Sequence, residues 1–216
     1  DNSATTRVDA QVQELMKKLM DVDFGNPSSR HQKGVVAEGY IKEARQKIAA
    51  TLKVDPKEFI ITSGGTESNN MALIGTALAA KRKGNHIITT AVEHPSVKAT
   101  ASFLEEQGFR ITFLSVDSRG QISLEDLKEA LTPDTILVSI MYVNNEIGTI
   151  QPVEEAAKLV HATVPGAVFH VDAIQAYGKV MIRPKQQGID LLSVSSHKFH
   201  GPKGCLLYTS PSPRDA

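Results

Sequence analysis

The stretch FIITSGGTESNN, residues 59–70, decides the fold class of this sequence. Its first four residues form a short β-branched run that predicts a strand. Gly64 and Gly65 then break the strand, and a helical pattern follows to about Arg82. A strand that turns directly into a helix is the repeating unit of α/β proteins.

The same alternation continues along the chain. Further strands are predicted at 86–90, 110–116, 136–142, 167–171 and 191–194, with helices at about 95–107, 123–131 and 153–162. Two helices, at about 9–20 and 34–52, precede the first strand. Because the strands are apolar on both faces, we predict an α/β fold with a mostly parallel sheet and helices on both faces.

Composition narrows the class of protein. The 216 residues carry 24 basic and 24 acidic side chains, so no overall charge favours nucleic acid or an anionic membrane as a partner. The single cysteine, Cys205, excludes a disulfide framework and a cysteine-cluster metal site, and no metal site is predicted. No apolar stretch approaches the ~20 residues of a membrane span, and no leader sequence is recognisable. We expect a cytoplasmic protein without a membrane partner.

Polar residues stand directly after the predicted strands. They are Gly65 and Thr66 after the first, His94 after the second, Asn145 after the fourth, Asp172 and Gln175 after the fifth, and Ser195, His197 and Lys198 after the sixth. Each alone is explained by a turn or a helix cap. The carboxyl ends of parallel strands meet at one edge of a sheet, where α/β proteins bind ligands, so we expect these residues to lie together.

The combined set has the chemistry of a pyridoxal-phosphate site. Lys198 can form a Schiff base, Asp172 can hold a protonated pyridine nitrogen, and the flat imidazole of His94 can cover the ring. Donors for the phosphate are Gly65, Thr66, Ser195 and His197. The sequence therefore predicts pyridoxal 5′-phosphate as the cofactor.

Five segments resemble the cysteine desulfurase family. They are TSGGTESNN (62–70), EHPSV (93–97), VNNEIGTIQPV (143–153), VDAIQAYGKV (171–180) and SSHKFHGPKG (195–204). The opening DNSATT and the loop FGNPSSRH (24–31) are similar to its NifS/IscS-type branch rather than to the SufS-like branch. The resemblance covers about 204 of the 216 residues. It implies the large domain of a class-V, fold-type I enzyme with an aspartate aminotransferase-like fold.

The resemblance also implies a role for each matching residue. The catalytic residues are Lys198, which carries the cofactor, Asp172, which pairs with its pyridine nitrogen, and His94, which stacks on its ring. Gln175 approaches the ring hydroxyl, and Asn145 lies near the substrate carboxylate and the cofactor. The phosphate is held by Gly65, Thr66, Ser195 and His197.

The implied activity is removal of sulfur from L-cysteine, which yields L-alanine and a persulfide on an enzyme cysteine. The implied acceptors are iron–sulfur scaffold proteins or other sulfur-acceptor proteins such as those of tRNA thiolation, and the full-length parent is expected to be a homodimer. Two alternatives remain open. One is a selenocysteine lyase-like enzyme, and the other is a fragment that binds cofactor without catalysis.

The sequence departs from the family after residue 204. We therefore predict a cofactor-binding domain over 1–204, with an N-terminal segment at 1–30, and interpret 205–216 as a non-native or read-through tail. The family continues with a strand and a small C-terminal domain that carries the nucleophilic cysteine. The expectation here is that the sheet lacks that strand, that Cys205 is a chance residue, and that the fragment is inactive.

Overall fold

The computed structural model describes residues 1–203 and the backbone of residues 205–209; Gly204 and residues 210–216 lie outside the described part. The described strands form one sheet. They are β1 (Phe59–Thr62), β2 (His86–Thr90), β3 (Arg110–Leu114), β4 (Thr135–Met141), β5 (Val168–Asp172), β6 (Leu191–Ser195) and β7 (Cys205–Thr209). Their order across the sheet is β1-β7-β6-β5-β4-β2-β3.

Helices alternate with these strands as predicted. They are α1 (Ala10–Asp21), α2 (Gln32–Leu52), α3 (Gly65–Ala80), α4 (Pro95–Glu106), α5 (Leu124–Ala130), α6 (Val153–Thr163) and α7 (Pro184–Gln187), with short 3₁₀ turns at Pro56–Glu58 and Ser196–Lys198. Within the described residues, no helix has both the length and the apolar character needed to cross a bilayer.

The sheet is parallel apart from one strand. β2 pairs in parallel with β3 and β4, β4 with β5, and β5 with β6, whereas β7 runs antiparallel between β1 and β6. The predicted α/β fold with a mostly parallel sheet is therefore confirmed. The carboxyl ends of the parallel strands, and the beginning of β7, share one edge.

Apolar side chains fill both faces of the sheet. Neighbouring residues of a strand point to opposite faces, so Ile87 and Ile88 of β2 belong to two different core clusters. The cluster with Ile87 includes side chains of α3 and α4, and the cluster with Ile88 includes side chains of α2, α5 and α6. The prediction of helices on both faces is thus also confirmed.

The expectation that the sheet lacks a strand after residue 204 is wrong. β7 fills the space between β1 and β6, with Cys205 in register with Thr62 on one side and with Ser195 on the other. Residues 205–209 read CLLYT, an apolar run that suits a central strand and satisfies backbone groups on both neighbours. The origin of residues 205–216 stays a prediction, and 210–216 lie outside the described residues.

The buried core under the site gives a first testable prediction. Phe169 of β5 is fully buried, whereas Phe103 of α4 is 45% exposed. We expect Phe169→Ala to lower the free energy of unfolding by about 3–5 kcal/mol, because it leaves a cavity behind the strand. The matched variant Phe103→Ala should lose less than about 1 kcal/mol. Urea unfolding measures both, and equal losses would contradict the assignment of Phe169 to the core.

Candidate functional site

A cavity of about 520 Å³ opens at the carboxyl ends of the strands. Its size is within the range of about 300–1,000 Å³ that small-molecule sites occupy. All nine residues predicted from the sequence line it: Gly65, Thr66, His94, Asn145, Asp172, Gln175, Ser195, His197 and Lys198. The structure therefore brings the predicted residues together, while the roles assigned to them stay predictions.

Asp172 places a carboxylate at the base of this cavity. It is the last residue of β5 and is only 3% exposed. Its Oδ1 accepts the backbone N–H of Ile174 at 3.0 Å, and its Oδ2 accepts Nδ2 of Asn69 at 2.8 Å. Burial raises the pKa of Asp172, while these two donors, together with His94 and Lys198, act in the opposite direction. Burial is the largest of these effects and the pKa of Asp172 stays above its ordinary value, while the donors and the two nearby side chains limit the rise.

Lys198 presents its amine to the same cavity. The 3₁₀ turn after β6 carries it, and its Nζ donates to the carbonyl oxygens of Ser3 at 2.7 Å and Ala4 at 2.9 Å. Burial lowers the pKa of Lys198, the charge of Lys179 lowers it further, and Asp172 opposes both. A lowered pKa increases the fraction of Lys198 that is present as the neutral, nucleophilic amine at a given pH.

The N-terminal segment closes one side of the cavity, which sequence reasoning did not foresee. Nε2 of Gln175 donates to the carbonyl oxygen of Ser3 at 2.7 Å. The backbone N–H of Thr6 donates to the carbonyl of His197 at 2.8 Å, and its hydroxyl donates to the same oxygen at 3.0 Å. Such contacts join residues about 170–190 positions apart, so no local sequence pattern predicts them.

His94 is held at the start of α4, where it is the N-cap residue. Its Nδ1 accepts the backbone N–H of Ser96 at 3.1 Å and lies 2.8 Å from the hydroxyl of Ser96. A ring used as a helix cap is fixed in orientation, because rotation breaks the bond to the helix N-terminus. The imidazole is therefore a rigid wall of the cavity.

Another wall of the cavity is the beginning of α3. Gly64 is the N-cap of this helix and has no side chain to occupy the first-turn N–H groups, which suits an anionic ligand. A Cβ built on Gly65 would lie 2.4 Å from Cδ1 of Ile174 and 3.9 Å from Cβ of Ser195. Glycine at position 65 therefore lets the side chain of Ile174 pack closely against the helix terminus.

Asn145 reaches the cavity on a turn that its neighbour fixes. Oδ1 of Asn144 accepts the backbone N–H groups of Glu146 at 2.9 Å and Ile147 at 3.0 Å. Nδ2 of Asn144 donates to the carbonyl of Val92 at 3.0 Å, which ties this turn to the loop before His94. The first asparagine of the pair is structural and the second faces the cavity.

Glu93 is a buried acid that sequence reasoning gave no role. It is 3% exposed, and its Oε1 accepts the hydroxyl of Thr90 at 2.9 Å and the backbone N–H of Met141 at 2.8 Å. Its Oε2 has no hydrogen-bond partner among the described residues. Burial, and then the nearby Asp172, raise the pKa of Glu93 to about 8. Glu93 is accordingly protonated at neutral pH and ties the end of β2 to the end of β4.

The family match and the sequence relatives of this chain agree with each other. Residues 1–213 match the aminotransferase class-V family. The cysteine desulfurase IscS of Dictyoglomus turgidum is 50% identical over 204 residues, which cover 94% of this chain and 51% of that protein. The putative cysteine desulfurase IscS 1 of Bacillus subtilis is 50% identical over 211 residues, with 97% and 55% covered. This chain spans about half the length of the curated relatives it matches.

Solved structures agree with the sequence relatives. A NifS-like protein superposes with a TM-score of 0.96 at 41% identity, over 98% of this chain and 58% of that one. SspA in complex with cysteine superposes with a TM-score of 0.93 at 40% identity, over 97% and 60%. The fold of this chain is therefore similar to that of NifS-like proteins.

The raised pKa of Glu93 predicts how stability depends on pH. The folded state keeps this proton up to about pH 8, whereas the unfolded chain releases it near 4.5. Between these values the unfolded state binds fewer protons, so the free energy of unfolding falls as pH rises. Glu93→Gln cannot ionise and should escape this fall, which amounts to roughly 4–5 kcal/mol by about pH 9.

Urea unfolding across pH measures this difference. The exposed variant Glu105→Gln is the matched control on α4 and should follow the wild-type curve. Parallel curves for wild type and Glu93→Gln would show that Glu93 ionises in the folded state as it does in the unfolded chain.

Proposed function

Because this chain belongs to the aminotransferase class-V family, we propose that it binds pyridoxal 5′-phosphate and forms the cofactor-binding part of a cysteine desulfurase. The observation that carries the proposal is the meeting of Lys198, Asp172 and His94 in one cavity. An amine, a buried carboxylate and an imidazole are the groups that this cofactor needs around its aldehyde, its pyridine nitrogen and its ring face.

The residues present fit the cofactor at its phosphate end as well. The first turn of α3 offers backbone N–H groups, and Gly65 in that turn carries no side chain that would displace Ile174, which also lines the cavity. Side-chain donors on the same wall are Thr66, Ser195 and His197. We assign the phosphate to this wall, and the aldehyde to the side of Lys198.

The bound cofactor would supply an electron-withdrawing ring that stabilises negative charge on the substrate carbon. The chain's own residues prepare for this. Asp172 would face a protonated ring nitrogen, whose positive charge favours the ionised carboxylate, and the burial of Asp172 strengthens that attraction. The lowered pKa of Lys198 lets Nζ release and take up a proton at the substrate carbon. His94 and the N-terminal segment at Ser3 and Ala4 limit the orientations of the ligand.

We further propose L-cysteine as the substrate of the complete protein. The support is that the sequence relatives are cysteine desulfurases by name and that the similar SspA structure is a complex with cysteine. In this proposal the C–S bond of L-cysteine breaks, the sulfur passes to an enzyme thiolate as a persulfide, and the remaining carbons leave as L-alanine. We place the accepting thiol in the part of the complete protein that corresponds to the half of the relatives not spanned by this chain.

The remaining expectations concern partners and location. We propose that the complete protein acts as a homodimer and passes its sulfur to iron–sulfur scaffold or other sulfur-acceptor proteins. A cytoplasmic location stays a prediction from the sequence.

Cofactor attachment provides the direct test of the proposed function. The chain mixed with pyridoxal 5′-phosphate should gain a near-visible absorbance band, and borohydride reduction followed by peptide mapping should label Lys198. Lys198→Ala should abolish the band and the label, whereas Lys128→Ala, an exposed lysine of α5, should keep both. The absence of a band in the wild-type chain, or a label confined to another lysine, would refute the proposal.

A second test concerns the phosphate wall. Gly65→Val should raise the dissociation constant of pyridoxal 5′-phosphate at least about tenfold, because the new side chain displaces Ile174 into the ligand space. A Cβ on Gly64 would meet nothing within 4 Å, so Gly64→Ala should change the constant less than about twofold. Titration by fluorescence measures both constants. Equal affinities for Gly65→Val and wild type would place the phosphate elsewhere.

A further inference from the structure

A continuous chain of hydrogen bonds joins the carboxylate of Asp172 to the ring of His94. Nδ2 of Asn69, in the second turn of α3, donates to Oδ2 of Asp172 at 2.8 Å and to Oγ of Ser96 at 3.0 Å. Oγ of Ser96 lies 2.8 Å from Nδ1 of His94. Asn69 is fully buried, so water does not compete for its amide.

The direction of each hydrogen bond follows from chemistry. Asn69 must turn its NH₂ group toward Asp172, because its carbonyl oxygen would repel the carboxylate. The same NH₂ group donates to Ser96, which leaves the hydroxyl proton of Ser96 to point at Nδ1 of His94. The backbone N–H of Ser96 also donates to that nitrogen. Nδ1 of His94 is therefore an acceptor, and in the neutral ring the proton is on Nε2.

This arrangement leaves the carbonyl oxygen of Asn69 unsatisfied. Oδ1 is buried and has no hydrogen-bond partner in the described part of the chain. An unpaired buried carbonyl destabilises the folded state, and a leucine of similar shape would avoid it. The NH₂ group of Asn69 thus serves its two polar neighbours, while its carbonyl oxygen gains nothing in return.

We propose that Asn69 is a positioning residue: it orients the Asp172 carboxylate for the cofactor's ring nitrogen and turns the hydroxyl of Ser96 toward Nδ1 of His94, where it supports the tautomer that the backbone N–H of Ser96 also favours. The inference rests on the proposed function for the identity of the ligand. It assigns a role within the site to two residues, Asn69 and Ser96, that the sequence analysis left without one. Neither touches the reacting atoms in this assignment, since each acts through Asp172 or His94.

Other titratable groups also lie near Asp172. They are Glu93 in the turn after β2, His94 at the start of α4 and Lys198 after β6. Because Asn69→Leu leaves all three in place, a changed titration of Asp172 in this variant reports the lost amide donor. The hydrogen bond favours the ionised form, so its removal should raise the pKa of Asp172.

The test compares Asn69→Leu with Asn70→Leu. Asn70 is the next residue of α3, and its amide oxygen accepts the hydroxyl of Thr100 instead of contacting Asp172. Carbon-13 NMR of the aspartate carboxyl groups in the cofactor-free chain should show a raised pKa for Asp172 in Asn69→Leu only. The dissociation constant of pyridoxal 5′-phosphate should rise about tenfold or more at neutral pH. On acidification, this dissociation constant should also begin to increase at a higher pH in Asn69→Leu than in the wild type.

A measurement on the wild-type chain keeps the proposal testable if Asn69→Leu does not fold. Nitrogen-15 NMR should find neutral His94 with its proton on Nε2. Ser96→Ala should keep this tautomer, because the backbone N–H of residue 96 still donates to Nδ1, while the Nδ1 resonance should shift with the loss of the hydroxyl donor. A proton on Nδ1 in the wild type, or an unchanged pKa of Asp172 in folded Asn69→Leu, would overturn the proposal. If pyridoxal 5′-phosphate fails to bind the wild-type chain while both NMR results hold, the proposed function fails and the positioning role stands.

Discussion

Asp172 carries a carboxylate into the middle of the sheet's carboxyl edge, where the neighbouring strands shield it from water. A buried negative charge is unfavourable unless donors or cations surround it. The backbone N–H of Ile174 and the amide of Asn69 supply donors, and Lys198 supplies a nearby amine. This end of the cavity therefore suits a cationic ligand group, because a positive charge placed against Asp172 would complete the environment of the carboxylate.

The parallel sheet explains why distant residues form one site. His94, Asp172 and Lys198 lie at the carboxyl ends of three different strands, and those strands run in the same direction. Their carboxyl ends therefore meet at one edge, whatever the length of the connecting helices. Glu93 and Asn144 then tie the turns after β2 and β4 to each other, so the loops that carry the cavity residues are held by buried hydrogen bonds.

Sequence reasoning located β1 to β6, α1 to α6 and nine of the residues that line the cavity, because each depends on a local pattern: an apolar run, a glycine break, or a polar residue at a strand end. Sequence reasoning failed for contacts between residues that are far apart in the sequence. The partners of β7 are set by register with β1 and β6, and the contacts of Ser3 and Ala4 span almost the whole chain. Asn69 lies within a recognised motif, yet only the packing of α3 on the sheet shows that its amide meets Asp172.

A crystal structure of this chain with pyridoxal 5′-phosphate tests the roles of Lys198 and Asp172 more directly than any other experiment. We expect electron density continuous from Nζ of Lys198 to the cofactor, with the ring nitrogen within hydrogen-bond distance of the Asp172 carboxylate and the phosphate at the start of α3. Density joined to another lysine, or a ring nitrogen turned away from Asp172, would contradict these roles.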